Sequence, residues 1–250
     1  MIKFFRNIRK TLINQGKTAN YLKYAIGEII LVVFGILIAL QVNNWNQLRE
    51  DKKFEITMLQ EIKSSLESDL EFSEMINRRL KVKEEGIQEL LKMTASNQKY
   101  SDSILLEVYN KMNTGVSFNI NKGSYEAIKS VGIDKISNDS LRKMLIQTYE
   151  VRFPMVEQVM GNIFEDIDIK DYKLKLHNAL WKRIRIQLPN KSFKLVSRPI
   201  NNENFLSQTE LVDRIKIEQD FVSAYSFWMS HFQGIVQYCL GAVNQELNND

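Results

Sequence analysis

The chain has little of what most site chemistry needs. Its 250 residues include 1 Cys, 2 His, 3 Pro and 10 Gly. A single cysteine excludes an intramolecular disulfide framework and a Cys-based zinc site. His177 and His231 have no partner at ligand spacing, which argues against a His-rich metal centre. Scarce Pro and Gly argue against a turn-rich β chain and for long helices. No glycine-rich phosphate loop occurs, neither G-x-G-x-x-G nor G-x-x-x-x-G-K followed by Ser or Thr. The G-x-S-x-G elbow and the H-E-x-x-H pair are also missing. The acidic run Glu165, Asp166, Asp168, Asp171 lacks the sixth-position glycine and closing glutamate of an EF-hand and reads as a solvated helix end. The sequence therefore nominates no catalytic residue, no cofactor and no metal site, and the expectation is a non-enzymatic protein.

What is present is unevenly spread. The net charge of +4 and an apolar fraction of 44% exclude a disordered chain. Lys3, Arg6, Arg9, Lys10, Lys17 and Lys23 give residues 1–23 six positive charges and no acid. Glu28 is the one charge in the next stretch, and from residue 43 onward the 28 bases and 29 acids nearly cancel. The excess charge is thus confined to the N-terminus, which argues against nucleic acid as a partner of the main domain.

Residues 24–42 read YAIGEIILVVFGILIALQV. Nineteen residues at ~1.5 Å rise span about 28 Å, close to the hydrocarbon thickness of a bilayer. Twelve of them are Ile, Leu, Val or Phe, and at roughly −0.3 to −0.6 kcal/mol each they outweigh one acid near the end of the span. A signal peptide would have a shorter apolar core and a small-x-small cleavage site, and residues 36–41 offer none. The lipid bilayer is then the first partner, with a basic cytoplasmic tail at 1–23, a transmembrane helix at 24–42 and a helical extracytoplasmic domain at 43–250. The charge bias puts the N-terminus inside. Lys23 and Tyr24 suit the inner interface and Trp45 the outer. Ile2, Phe4, Phe5, Ile8, Leu12 and Ile13 alternate with bases, so the tail is either a short helix on the inner leaflet or an unstructured charged segment.

Positions 28, 35 and 39 share one helix face, so Glu28, Gly35 and Ala39 form a candidate interface for a second copy or a membrane partner. The competing reading is a boundary acid reaching the inner headgroups beside small residues that fall there by chance.

Beyond 43–47 (NNWNQ) a helical stripe runs over 48–94 through Leu59, Ile62, Leu66, Ile76, Leu80, Ile87 and Leu90, interrupted by Ser73 and Lys83, with Gly86 inside it. Residues 96–103 read as a linker, and Asp102 as the cap of a helix to Met112. Gly115 and Gly123 mark a loop, followed by a helix over 124–131 stopped by Gly132. A further helix starts at 137–140 and contains Pro154, which predicts a kink. Residues 183–188 and 192–197 alternate and read as a small hairpin or an irregular loop. The most regular helix spans 208–247, with Leu211, Ile215, Val222, Tyr225, Met229, Phe232, Val236, Cys239 and Val243 on its stripe and Phe221, Trp228 and Ile235 widening it. The fold class is all-α: one N-terminal transmembrane helix, then a helical bundle.

The strings MIKFFR, YAIGEI and GILIALQVNNWN, over residues 1–50, resemble a family of bacterial single-span membrane proteins of unknown function. Beyond residue 50 the likeness rests on the helical pattern and on Tyr125-Glu126-Ala127-Ile128-Lys129-Ser130 before Gly132. The resemblance implies an inner-membrane protein of Gram-negative bacteria and no activity, substrate or cofactor. The functional expectation is an anchored interaction or scaffold module. The alternatives are a sensor subunit acting through a separate transducing partner, and an enzyme whose carboxylate pair forms only in the fold.

Overall fold

The computed structural model describes residues 18–96, 98–165, 167–189 and 191–249. The basic tail before Thr18, Asp166 of the acidic run and Asn190 of the hairpin turn lie outside the described residues. Those described fall into two compact units, one ending at Ile56 and the other Thr57–Asp250.

The first helix, α1, is continuous over Thr18–Thr94. It starts six residues before the predicted span and does not break at the polar stretch 43–47. The reason is local: no Gly or Pro occurs between residues 36 and 85, so nothing ends the ladder there. The pair Gln47–Asp51, with Nε2 donating to Oδ1 at 3.1 Å, links the last residue of the polar stretch to the next turn.

In the unit Thr57–Asp250, α1 presents its predicted stripe to the core, and Leu59, Ile62, Leu66, Ile87 and Leu90 are fully buried. Helix α2 spans Asp102–Met112 and is capped by Ser101, whose side chain accepts from the Ile104 N–H. That corrects the predicted cap at Asp102. Asp102 lies in the first turn, where its negative charge suits the helix dipole, and Ser101 supplies the extended backbone and hydroxyl of a cap. Helix α3 is Gly123–Val131. It ends at Gly132, whose φ of 132° is backbone that side-chain-bearing residues rarely adopt.

The Asn138 side chain caps α4, Asp139–Gln147, by accepting from the Ser140 and Leu141 N–H groups. The predicted kink at Pro154 takes a definite form. Residues Thr148–Arg152 make a π turn before α5, Phe153–Glu165. Proline cannot donate to Glu150 and its ring crowds that carbonyl, so the wider turn relieves both problems.

Helix α6, Ile167–Leu180, leads into the only strands among the described residues, β1 (Trp181–Gln187) and β2 (Phe193–Pro199). They pair antiparallel with Ile184 opposite Val196, which resolves the choice between hairpin and loop in favour of a hairpin. Helix α7, Thr209–Asn249, carries all nine predicted stripe residues buried. Phe205, Leu211, Ile215 and Val222 join Tyr109, Met112, Leu180 and Trp181 in one core cluster. The fold is all-α with one small hairpin, as expected.

Candidate functional site

Four segments of the unit Thr57–Asp250 meet at one place, and three of them bring charged side chains to it. Helix α1 contributes Lys83, the loop after α2 contributes Asn113 and Gly115, α6 contributes Lys170 and Lys173, and α7 contributes Arg214, Glu218 and Phe221. On α7 the spacings 214, 218 and 221 put the last three on one face.

Glu218 is buried and holds three cations. Lys83 Nζ is 2.5 Å from Oε2, and Arg214 Nη2 and Lys173 Nζ are 2.7 and 3.1 Å from Oε1. Lys83 also donates to the Met112 carbonyl at the end of α2. Arg214 Nη2 donates to Asn113 Oδ1 at 2.7 Å. The Lys173 and Lys83 ammonium groups lie 4.9 and 5.4 Å from the centre of the Phe221 ring, within cation–π range. Burial alone would push the Glu218 carboxyl up, but Lys83, Arg214 and Lys173 outweigh it and hold the pKa below the usual carboxylate value. Burial pulls the Lys83 ammonium down, partly offset by Glu218.

These residues line a cavity of about 490 Å³. Among the described residues four cations and one carboxylate line it, a net of about three positive charges in a partly desolvated space. Two Arg214 donors, Nε and Nη1, are buried with no acceptor among the described residues. A second cavity of about 400 Å³ adjoins it through the shared residues Ile163, Ile169, Lys173 and Phe221, and its further lining is mostly apolar, including Val159, Ile217 and Ala224. The arrangement can neutralise an anion. A carboxylate engaged by three cations is a poor proton acceptor, and no second carboxylate lines the charged cavity among the described residues.

His177 stands near this cluster. Its Nδ1 is 3.3 Å from the Tyr109 hydroxyl, and burial, then Arg214 and Arg183, keep its pKa below the ordinary imidazole value. His231 is exposed and meets the Trp228 ring edge-on. Cys239 is buried on the α7 stripe, as its position predicts, and burial lifts its thiol to about 11.

A second polar group lies under α3 and the π turn. Asp69 accepts from the Asn121 N–H at 3.0 Å through Oδ1, while Oδ2 has no partner among the described residues. Burial outweighs that donor, Glu157 adds repulsion, and the carboxyl is lifted to about 6. The Tyr125 and Tyr149 rings stack 4.4 Å apart, and the Tyr125 hydroxyl donates to Glu150 at 2.8 Å.

The residues predicted to matter lie elsewhere, on α1. Glu28 is half-buried, Gly35 and Ala39 are exposed, and a Cβ at Gly35 would meet nothing within 4 Å. Lys23 and Trp45 are exposed, and the Tyr24 side chain lies outside the described residues. Residues 29–34 and 36–38, all large and apolar, are each 47–62% exposed. Sequence reasoning missed Lys83, Lys173, Arg214 and Glu218 as a group. Their signal is a charge of opposite sign at a stripe position in each of two helices: Lys83 between Leu80 and Ile87, Glu218 between Ile215 and Val222.

The fold defines a class: a helical domain on a helix that includes a stretch long and apolar enough to cross a membrane. Residues 28–182 match the model of a family of unknown function, DUF6090, and since the match covers more than half of the chain, the chain belongs to that family. The match begins inside the apolar stretch and ends at the start of the hairpin, so it takes in Lys83, Asn113 and Lys173 but not Arg214 or Glu218. No curated protein and no solved structure matches the chain.

Proposed function

We propose that this protein is a single-pass inner-membrane protein with a cytoplasmic N-terminus, whose helical domain works in the periplasm as a non-enzymatic interaction module. The observation that carries the reading is the exposure of the apolar stretch. Its isoleucines, leucines and valines have about half of their surface uncovered, although residues of this kind gain ~1.5–3 kcal/mol each on burial. A contiguous apolar face of that size marks a membrane or a partner as its cover, and a length of about 28 Å fits a bilayer. The six bases before it and the near-neutral chain after it support the orientation. The engagement of Glu218 by three cations supports a binding rather than a catalytic role.

Association through Glu28, Gly35 and Ala39 belongs to this proposal. Small residues let a second helix approach closely, and an intramembrane acid finds its counterpart there. Crosslinking in intact cells followed by mass spectrometry is expected to recover a dimer or a membrane partner, and Gly35→Leu with Ala39→Leu is expected to reduce that species severalfold. Recovery of a monomer under every condition would sink the interaction reading.

A sensor subunit is a second reading, favoured by one observation. Lys83 lines the charged cavity and lies on the same continuous helix as the apolar stretch, so a ligand contacting Lys83 acts on that helix directly.

A further inference from the structure

The charged cavity is lined by more positive than negative groups among the described residues. Glu218 supplies one negative charge against Lys83, Lys173 and Arg214 in direct contact, and Lys170 lines the same space. A structural ion pair needs one partner per carboxylate. Extra buried cations are costly unless something answers them. Both Glu218 oxygens are committed, Asn113 Oδ1 accepts from Arg214 Nη2, and Nε and Nη1 of a nine-tenths buried Arg214 have no acceptor among the described residues. A guanidinium pairs best with a planar, two-oxygen acceptor.

The adjoining cavity answers a different question. It shares Ile163, Ile169, Lys173 and Phe221 with the charged one and continues past Ile217 to Ala224, with Asp220 and Asn162 as its other polar lining. A free inorganic anion would use only the charged half and leave the apolar half in contact with water. Each cavity by itself falls within the ~300–1,000 Å³ range of ligand pockets.

We propose that the two cavities together bind an amphipathic carboxylate. The head is held among Lys83, Lys173 and Arg214, and an apolar tail of medium length lies against Ile163, Ile217 and Phe221. The inference goes beyond the proposed anchoring and association, because it rests on the helical domain alone.

Octanoate is the probe. The full-length chain is reconstituted in phosphatidylcholine nanodiscs and titrated calorimetrically, with empty nanodiscs as the reference. Saturable one-to-one binding of octanoate is expected, with octanol, acetate and inorganic phosphate each at least tenfold weaker. Octanol removes the charge and keeps the tail; acetate and phosphate keep the charge and remove the tail. Lys173→Gln, at a position that is only partly buried, is expected to weaken octanoate at least tenfold without changing the helical circular dichroism. Ala224→Trp fills the apolar cavity from a lining position that the charged cavity does not share, and is expected to weaken octanoate while leaving acetate unchanged. The proposal is overturned if octanoate shows no saturable binding. It is overturned equally if octanol binds as tightly, if phosphate or acetate matches octanoate, or if both variants bind octanoate like the wild type.

Discussion

Glu218→Gln is expected to lower the unfolding free energy of the helical domain by about 3–5 kcal/mol, the usual cost of removing one partner of a buried ion pair. The carboxylate is 2% exposed and is the shared counter-ion of Lys83, Arg214 and Lys173 at 2.5, 2.7 and 3.1 Å. Glutamine has the shape of the acid but none of its charge, and its amide turns a donor toward groups that are themselves all donors. Three cations are then left facing one another. The loss is also spread widely, because the same contacts tie α1, α6 and α7 together at one point. Urea unfolding followed by far-UV circular dichroism reads it directly, and a loss below about 1 kcal/mol, the value of an exposed pair, contradicts this account. The pH dependence gives a second check. The three cations hold the folded-state pKa of Glu218 below its unfolded value. Its contribution is therefore present above the ordinary glutamate pKa of about 4.3 and is lost as pH falls through the lower folded value. The wild type should lose this stability in acid, and the Gln variant should lack that part of the acid limb.

Gly86→Ala is expected to destabilise although alanine is the better helix former. In a solvated helix the change gains about 1 kcal/mol. Here a Cβ at residue 86 would lie 2.4 Å from the Met112 nitrogen, 2.7 Å from Lys111 Cβ and 2.8 Å from the Lys111 carbonyl carbon. Two of those three are backbone atoms, so the clash can be relieved only by moving α2 away from α1. Overpacking costs about 1–3 kcal/mol; contact with two backbone atoms puts this site at the upper end, and the net expectation is a loss of about 2 kcal/mol in thermal or urea unfolding. Moving α2 also pulls the Met112 carbonyl from Lys83. Gly241→Ala is the control: a Cβ there meets nothing within 4 Å, and the substitution should be neutral or stabilising. Equal behaviour of the two variants would contradict the close α1–α2 approach.

These two sites also show what can be read from one sequence and what cannot. The helices were legible because each stripe is a local property. Leu59, Ile62 and Leu66 or Leu211 and Ile215 repeat at the helical period whatever they pack against. The hairpin was half legible: its alternation is local, but the pairing of Ile184 with Val196 is not. Lys83 and Ser73 were visible only as defects in the α1 stripe. Each defect has a distant remedy, Glu218 for Lys83 and Gln233 for Ser73, whose hydroxyl accepts from Gln233 Nε2 at 2.8 Å. The stripe of α7 carries the matching charge at Glu218, but nothing local says that the two meet. Gly86 likewise reads as a weak point of a helix until α2 is seen against it. The cap at Ser101 rather than Asp102 and the π turn before Pro154 are shifts of a residue or a bond, decided by neighbours that propensity does not weigh.

The apolar stretch at 24–42 is expected to cross the membrane and carry the helical domain out. Alkaline phosphatase, which folds to activity only after export, is fused after Asp250, and a reporter active only in the cytoplasm is fused at the same point in a parallel strain. Phosphatase activity with a silent cytoplasmic reporter is the expected result. A silent phosphatase with an active cytoplasmic reporter would contradict it.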